Sequence, residues 1–206
     1  SSAASDVYKR QTIAITVITL VAGLALGVVQ DITADPIAKQ EAQAKQDAYK
    51  AVFADADSFE TVDVDADAMQ SYLDENGYAA QSIDETMLAK DASGNELGYA
   101  FTVTTSEGYG GDIQITVGIM SDGTVNGISF LSISETAGLG MRAKEPSFYN
   151  QFAGQQAEKF YVSKDGGDGQ PIDALSGATI TSRAVTGAVN TALGYYQTAL
   201  GGSGNE

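Results

Sequence analysis

The chain has 206 residues, a formal net charge of −16 from 27 Asp plus Glu against 11 Lys plus Arg, and neither cysteine nor histidine. Its length and 43% hydrophobic content suit one domain of ordinary size with an appendage. So acidic a surface repels phosphate backbones, so nucleic acid is not an expected partner. The missing Cys and His remove disulfides, thiolate nucleophiles, cysteine-held iron–sulfur clusters and the usual zinc ligands, and any redox chemistry must come from an organic cofactor.

Residues 1–11, SSAASDVYKRQ, show no periodicity and read as an N-terminal tail. Residues 12–30, opening with TIAITVITLVAGLALGVV, carry no charge, and a helix rising 1.5 Å per residue over that length matches a hydrocarbon core of roughly 30 Å. Lys9 and Arg10 precede this run while Asp31 and Asp35 follow it. The positive-inside rule then predicts a single-pass protein of the cell membrane, with a cytoplasmic N-terminus and the remainder extracytoplasmic. The run is longer than the apolar part of a signal peptide, and QDITADP is a poor cleavage context, so a retained anchor in membrane lipid is expected. From Pro36 to Phe53 the helix formers predict a second, amphipathic helix. The acidic stretch that follows reads as a loop leading into a short helix. Its Asp spacing lacks the Gly and terminal Glu of an EF-hand, which favours a solvated face over a metal site.

Three β-rich runs come next, near 97–105, 112–120 and 124–134. Asp122-Gly123 between the last two is a strong hairpin signal, so an antiparallel meander is expected. The Gly-rich bend AGLGMRAK leads to a helix near 146–152, with Phe148, Tyr149 and Phe152 as its packing face. A short strand KFYVS, a Gly/Asp turn over 164–173 and a last helix from about Arg183 complete a domain spanning 31–200. Val185, Val189, Leu193 and Tyr196 fall near one stripe of that helix. Residues 201–206 read as a flexible tail. The fold class is therefore α+β: an N-terminal transmembrane helix, then an antiparallel sheet with flanking helices.

The stretch that asks for a chemical explanation is DALSGATITS, 173–182. Thr181 or Ser182 would cap the last helix, leaving Thr179 in the turn before its N-terminus, where free N–H groups and the helix dipole favour an anion. Gly177 and Ala178 leave room for a bulky group to approach the backbone. The same composition would also serve a simple helix cap.

DALSGATITS resembles the flavinylation motif of FMN-binding domains, in which Asp, two variable residues, Ser or Thr, Gly and Ala precede a modified Thr. Asp173, Ser176, Gly177, Ala178 and Thr179 match it in order. The resemblance implies covalent FMN, joined through its phosphate to the Thr179 hydroxyl by a flavin transferase. SETAGLGMRAKEPSFYNQF is similar to the family's Glu-Thr-x-Gly-Leu-Gly stretch and aromatic helix, matched by Glu135, Thr136, Gly138, Leu139 and Gly140; Ala137 stands where Pro is commoner. EGYGGDIQITVGI fits the strand entering the domain.

By that resemblance, the Gly138-Leu139-Gly140 loop approaches the flavin ring with Leu139 packed on it. Glu135 and Thr136 bond the flavin or its ribityl chain, Thr181 and Ser176 flank the attachment point, and Tyr109 stacks. Arg142 and Lys144 compensate the phosphate. Each has an ordinary alternative as a turn, strand end, core or solvated residue. Compact subunits of this plan are the G subunits of Rnf ferredoxin:NAD oxidoreductases, and the likeness implies an electron carrier partnered with the other membrane and peripheral subunits of such a complex. No Gly-x-Gly-x-x-Gly follows a strand, so NAD is not expected to bind this chain. The alternatives are the C subunit of the sodium-pumping NADH:quinone oxidoreductase and an anchored binding domain without cofactor.

Overall fold

A computed structural model describes residues 2–200, with side chains from residue 7 onward; the expected tail at 201–206 lies outside the described residues. The chain divides into two compact units, 1–44 and 45–206.

The described residues of the first unit are helical throughout. Helix α1, Ser2–Val52, includes residues 2–11, read from the sequence as an N-terminal tail, and runs on through Pro36 where a second helix was expected to begin. Pro36 has no N–H for the Ile32 carbonyl, but helix formers on both sides make continuing the helix cheaper than breaking it, and one lost bond bends a helix without ending it. The hydroxyls of Thr12, Thr16 and Thr19 donate to the carbonyls of Tyr8, Thr12 and Ile15 at 2.8–2.9 Å, so these polar groups within the apolar run are satisfied in their own helix. Among the described residues this is the one helix long and apolar enough to cross a membrane.

The second unit is built on a five-stranded sheet. Strands β1 (Ser58–Thr61), β2 (Gln81–Lys90), β3 (Glu96–Thr105), β4 (Ile113–Met120) and β5 (Val125–Ile133) lie in that order, every neighbour antiparallel. Helix α2, Ala66–Glu75, starts where the Asp65 carboxylate accepts the N–H groups of Asp67 and Ala68, an N-cap within the acidic stretch. The expected meander is β3–β5. Strands β1 and β2 were not expected: β2 reads QSIDETMLAK, rich in polar residues, and becomes a strand by pairing with β3, which follows directly after the turn at 91–95.

Beyond the sheet, a 3₁₀ turn at Gly140–Lys144 leads to helix α3, Pro146–Tyr149, shorter than the helix expected over 146–152. Strands β6 (Phe160–Val162) and β7 (Gln170–Ile172) form a separate parallel pair, so part of the expected 164–173 turn is strand. Pro171 is tolerated there because an edge strand can dispense with one N–H.

Helix α4, Thr179–Tyr195, lies on one face of the sheet. Period-two alternation sends Phe101 and Val103 of β3 and Ile113, Ile115, Val117 and Ile119 of β4 against its Ala184, Val185, Ala188, Val189 and Leu193. The opposite face, with Met87, Ala89 and Ala100, is covered by Tyr49, Val52 and Phe53 from the last turns of α1. Strand β3 is thus covered on both faces along its middle, where its residues are buried one after another.

Candidate functional site

The turn joining β7 to α4 is held by side chains that imitate backbone. The Gln151 amide accepts the Asp173 N–H at 2.7 Å and donates to the Asp173 carbonyl at 3.3 Å. The Ser182 hydroxyl accepts the Leu175 N–H at 3.0 Å and donates to the Ala178 carbonyl at 2.9 Å. Gly177 sits at φ +77°, in the left-handed region that other residues enter only at a cost, and turns the chain into the helix. Helix α4 therefore begins at Thr179, four residues before the expected start, and its N-cap is Ala178 with no side-chain hydrogen bond. Thr181 and Ser182, expected as caps, are buried within the first turn. Nearby, a two-point pair with Arg183 holds the Asp165 carboxyl below the usual carboxylate range.

Thr179 is thereby the first residue of a 17-residue helix, among the N–H groups that have no acceptor within the helix. It opens onto a cleft of about 580 Å³, within the ordinary range for small-molecule sites. One wall is the helix start, from Gly177 to Thr181. The other comes from the segment after β5, with Glu135, Thr136, Leu139 and Gly140, and Tyr109 stands on the loop between β3 and β4. That loop is tied to the second wall where the Gly110 N–H donates to Glu135 Oε1 at 3.2 Å. Gly140 is required by space: a Cβ there would lie 2.6 Å from Thr181 Oγ1 and 2.7 Å from Glu135 Cβ.

Of the residues singled out by sequence, Tyr109, Glu135, Thr136, Leu139, Gly140, Gly177, Ala178, Thr179 and Thr181 converge on this cleft. Ser176 and Gly138 do not line it: Ser176 is exposed on the preceding turn, and Gly138, at φ +76°, bends the chain ahead of Leu139. Arg142 and Lys144, expected opposite the phosphate, are not lining residues either, and Arg142 pairs with Glu145 at 3.3 Å. Ile180 was missed; it lines the cleft and is 48% exposed. Its place follows only from the helix starting at Thr179, a register the hydroxyl pattern concealed.

The lining fits a flavin nucleotide in three respects. A hydroxyl stands at a helix N-terminus, where phosphate is favoured. Tyr109, Leu139 and Ile180 offer apolar surface to a ring. Buried polar groups, Glu135 and Thr181, lie between.

A family model described as FMN-binding domain matches residues 108–194, a range that contains every lining residue of the cleft. The G subunit of the proton-translocating ferredoxin:NAD(+) oxidoreductase complex of Clostridium ljungdahlii is 33% identical over 189 residues, 91% of each chain. The chain belongs to this G-type family of oxidoreductase subunits. Its counterpart from Acetobacterium woodii, in a Na(+)-translocating complex, is 32% identical over 190 residues, covering 88% of this chain and 87% of that one. Among solved structures, NqrC of Shewanella oneidensis is 21% identical with a TM-score of 0.48, covering 73% of this chain and 85% of that one. Members of the G-type family thus align with this chain over most of its length, beyond the flavin-binding segment alone.

Proposed function

We propose that this chain is the membrane-anchored electron carrier of an ion-translocating ferredoxin:NAD(+) oxidoreductase complex, and that it holds FMN by a phosphoester on Thr179. The relatives from Clostridium ljungdahlii and Acetobacterium woodii are the G subunits of such complexes, and the matching family model is an FMN-binding domain. The observation that carries the covalent assignment is the position of Thr179: a half-buried hydroxyl on the first residue of α4, opening into the cleft. Its neighbours are poorer acceptors, since Ser176 lies off the cleft and Thr181 is 1% exposed.

Charge supports a tether over simple binding. A free phosphate monoester carries about −1.5 to −2 at neutral pH, whereas the lining residues include no Lys or Arg and do include the buried carboxylate of Glu135. Esterification leaves a single negative charge, within reach of the partial positive charge, roughly +0.5, of a helix N-terminus. A covalent bond then replaces an affinity that this cleft is poorly equipped to supply.

FMN, when bound, supplies the electron chemistry. The chain's own part is to orient and shield: Tyr109, Leu139 and Ile180 give the ring apolar contact, and Gly140 keeps the gap between the walls open. Lys9 and Arg10 before the apolar run support a cytoplasmic N-terminus, with the flavin domain outside and facing other subunits of the complex. A flavin transferase acting on that side is the required maturation partner.

Co-expression with a flavin transferase, followed by intact-mass measurement, tests the assignment. Wild type and Thr181→Ala should gain the mass of an FMN phosphoester and fluoresce after denaturing electrophoresis, and Thr179→Ala should not. An adduct retained in Thr179→Ala moves the site; no adduct in wild type removes the function.

A further inference from the structure

We infer that Asn76 is a site of spontaneous deamidation, a chemical modification independent of the flavin assignment. The sequence holds two Asn-Gly pairs, Asn76-Gly77 and Asn126-Gly127. Glycine, with no Cβ, leaves its own nitrogen unhindered for attack on the preceding side chain. The two pairs stand in opposite surroundings. Asn126 lies in β5, where Gly127 is paired with Gly118 of β4, and its half-buried side-chain amide donates to the Val52 carbonyl. Asn76 and Gly77 are both exposed, just past the end of α2. Gly77 takes φ +75°, and its N–H has no acceptor among the described residues.

The Asn76 side-chain amide donates to the Tyr72 carbonyl at 2.8 Å and so caps the last turn of α2. Ring closure requires the side chain to leave that bond, and the rate therefore follows opening of the helix end. That end is poorly made. Asp74 and Glu75 place two carboxylates beside the negative end of the helix dipole, and no basic residue occupies the last turn. A helix of ten residues has little cooperativity with which to resist fraying. Once the turn opens, the Gly77 nitrogen attacks Asn76 Cγ: the N–Cγ bond forms, the Cγ–Nδ2 bond breaks, and ammonia departs with the proton from the Gly77 nitrogen. Water then opens the five-membered imide, at Cγ to give aspartate or at the backbone carbonyl to give isoaspartate. Either product exchanges the capping donor for a third consecutive carboxylate after Asp74 and Glu75, so the turn closes less readily than before. The loss is felt at Tyr72, whose ring packs against Tyr78 and Tyr195.

The full-length chain, purified in detergent, is aged in warm, mildly alkaline buffer while peptide masses and labelling by an isoaspartyl methyltransferase are followed. The peptide containing residues 76–77 should gain about 1 Da and accept the label. It should do so at least about tenfold faster than the peptide containing residues 126–127. In urea the two sites should react at similar rates, because the fold is what separates them. Asp74→Lys combined with Glu75→Arg reverses the charge at the helix end. Relative to its own rate in urea, that variant should deamidate at Asn76 about threefold more slowly than wild type, or slower still, with far-UV circular dichroism confirming that it is folded. Reaction at residues 126–127 as fast as at 76–77 in the folded chain, no mass gain at 76–77, or an unchanged relative rate in the charge-reversed variant overturns the inference.

Discussion

The two ends of α4 are built on opposite principles. At its C-terminal end every large polar side chain is spoken for. The Tyr72 hydroxyl donates to the Thr191 carbonyl at 3.2 Å and the Tyr196 hydroxyl to the Ser121 carbonyl at 2.8 Å, while Tyr195 packs edge-on against Tyr72 and Phe101. Asn190 pairs with both the N–H and the carbonyl of Phe160, at 2.8 and 2.9 Å. At the N-terminal end, Thr181 and Glu135 line the cleft, and Tyr109, Leu139 and Ile180 are among the few large apolar side chains the domain leaves exposed. One end stabilises the domain; the other gives up packing for an open cleft. Substitutions at the two ends should therefore differ in what they change.

The largest loss of stability is expected from Asn190→Ala. The variant strands the buried N–H and carbonyl of Phe160, 1% exposed, and each unsatisfied group costs about 1–3 kcal/mol. Unfolding in urea followed by circular dichroism should show a loss of about 2–4 kcal/mol, with covalent FMN still attached to the folded fraction. A loss below about 0.5 kcal/mol would mean that Asn190 is not the staple between α4 and β6.

Gly140→Ala should come next. Its Cβ has no free volume between Thr181 and Glu135, and forcing extra volume into such a space costs about 1–3 kcal/mol. Because the collision is inside the cleft, this variant should loosen the flavin as well, read as lower fluorescence anisotropy of the attached group. Asn190→Ala should leave that anisotropy unchanged. Reversal of the two signatures would break the division between the ends.

The satisfied style of bonding extends to the far face of the sheet, where Glu85 accepts Lys45 Nζ at 2.7 Å and the Tyr49 hydroxyl at 2.8 Å. Partial burial alone would raise the Glu85 pKa, but these two hydrogen bonds and the lysine charge outweigh it and hold it below its ordinary value of 4.5. A carboxyl with a depressed folded pKa contributes stability that is present above its unfolded value and lost as pH falls through the folded one. Stability should therefore begin to fall near pH 4.5 and continue falling below it. Glu85→Gln should flatten that part of the profile in pH-dependent urea unfolding while leaving the flavin signal unchanged.

How far the sequence disclosed this division depends on the range of the interactions. The β4–β5 hairpin was legible because Asp122-Gly123 and alternating apolar residues are local signals. The stripe of Val185, Val189 and Leu193 was legible because burial against the sheet follows helical periodicity. Strand β2 was not, although β3 follows it after a short turn, because Gln81, Asp84, Glu85 and Thr86 break the apolar alternation that marks a strand. The cleft was legible as a set of residues through the motif resemblance, and its internal geometry was not. Thr181 and Ser182 looked like caps since hydroxyls before an apolar run usually are, yet the Gly177 turn starts the helix earlier and carries both hydroxyls inside. That shift brings both Ile180 and Thr181 onto the cleft.

The smallest expected effect on stability is also the sharpest test of the contrast. Thr181→Val keeps the shape of a side chain that is 1% exposed and removes a hydroxyl that borders the cleft and has no hydrogen-bond partner among the described residues, so none of them is stranded by its loss. Deleting a paired buried group is costly, whereas deleting an unpaired one relieves its desolvation penalty. Unfolding of the flavin-free chain should accordingly change by no more than about 0.5 kcal/mol, or shift toward greater stability. A cost of about 1 kcal/mol or more in the flavin-free chain would show that Thr181 has a partner within the protein, and that the cleft end of α4 is as fully bonded as the other.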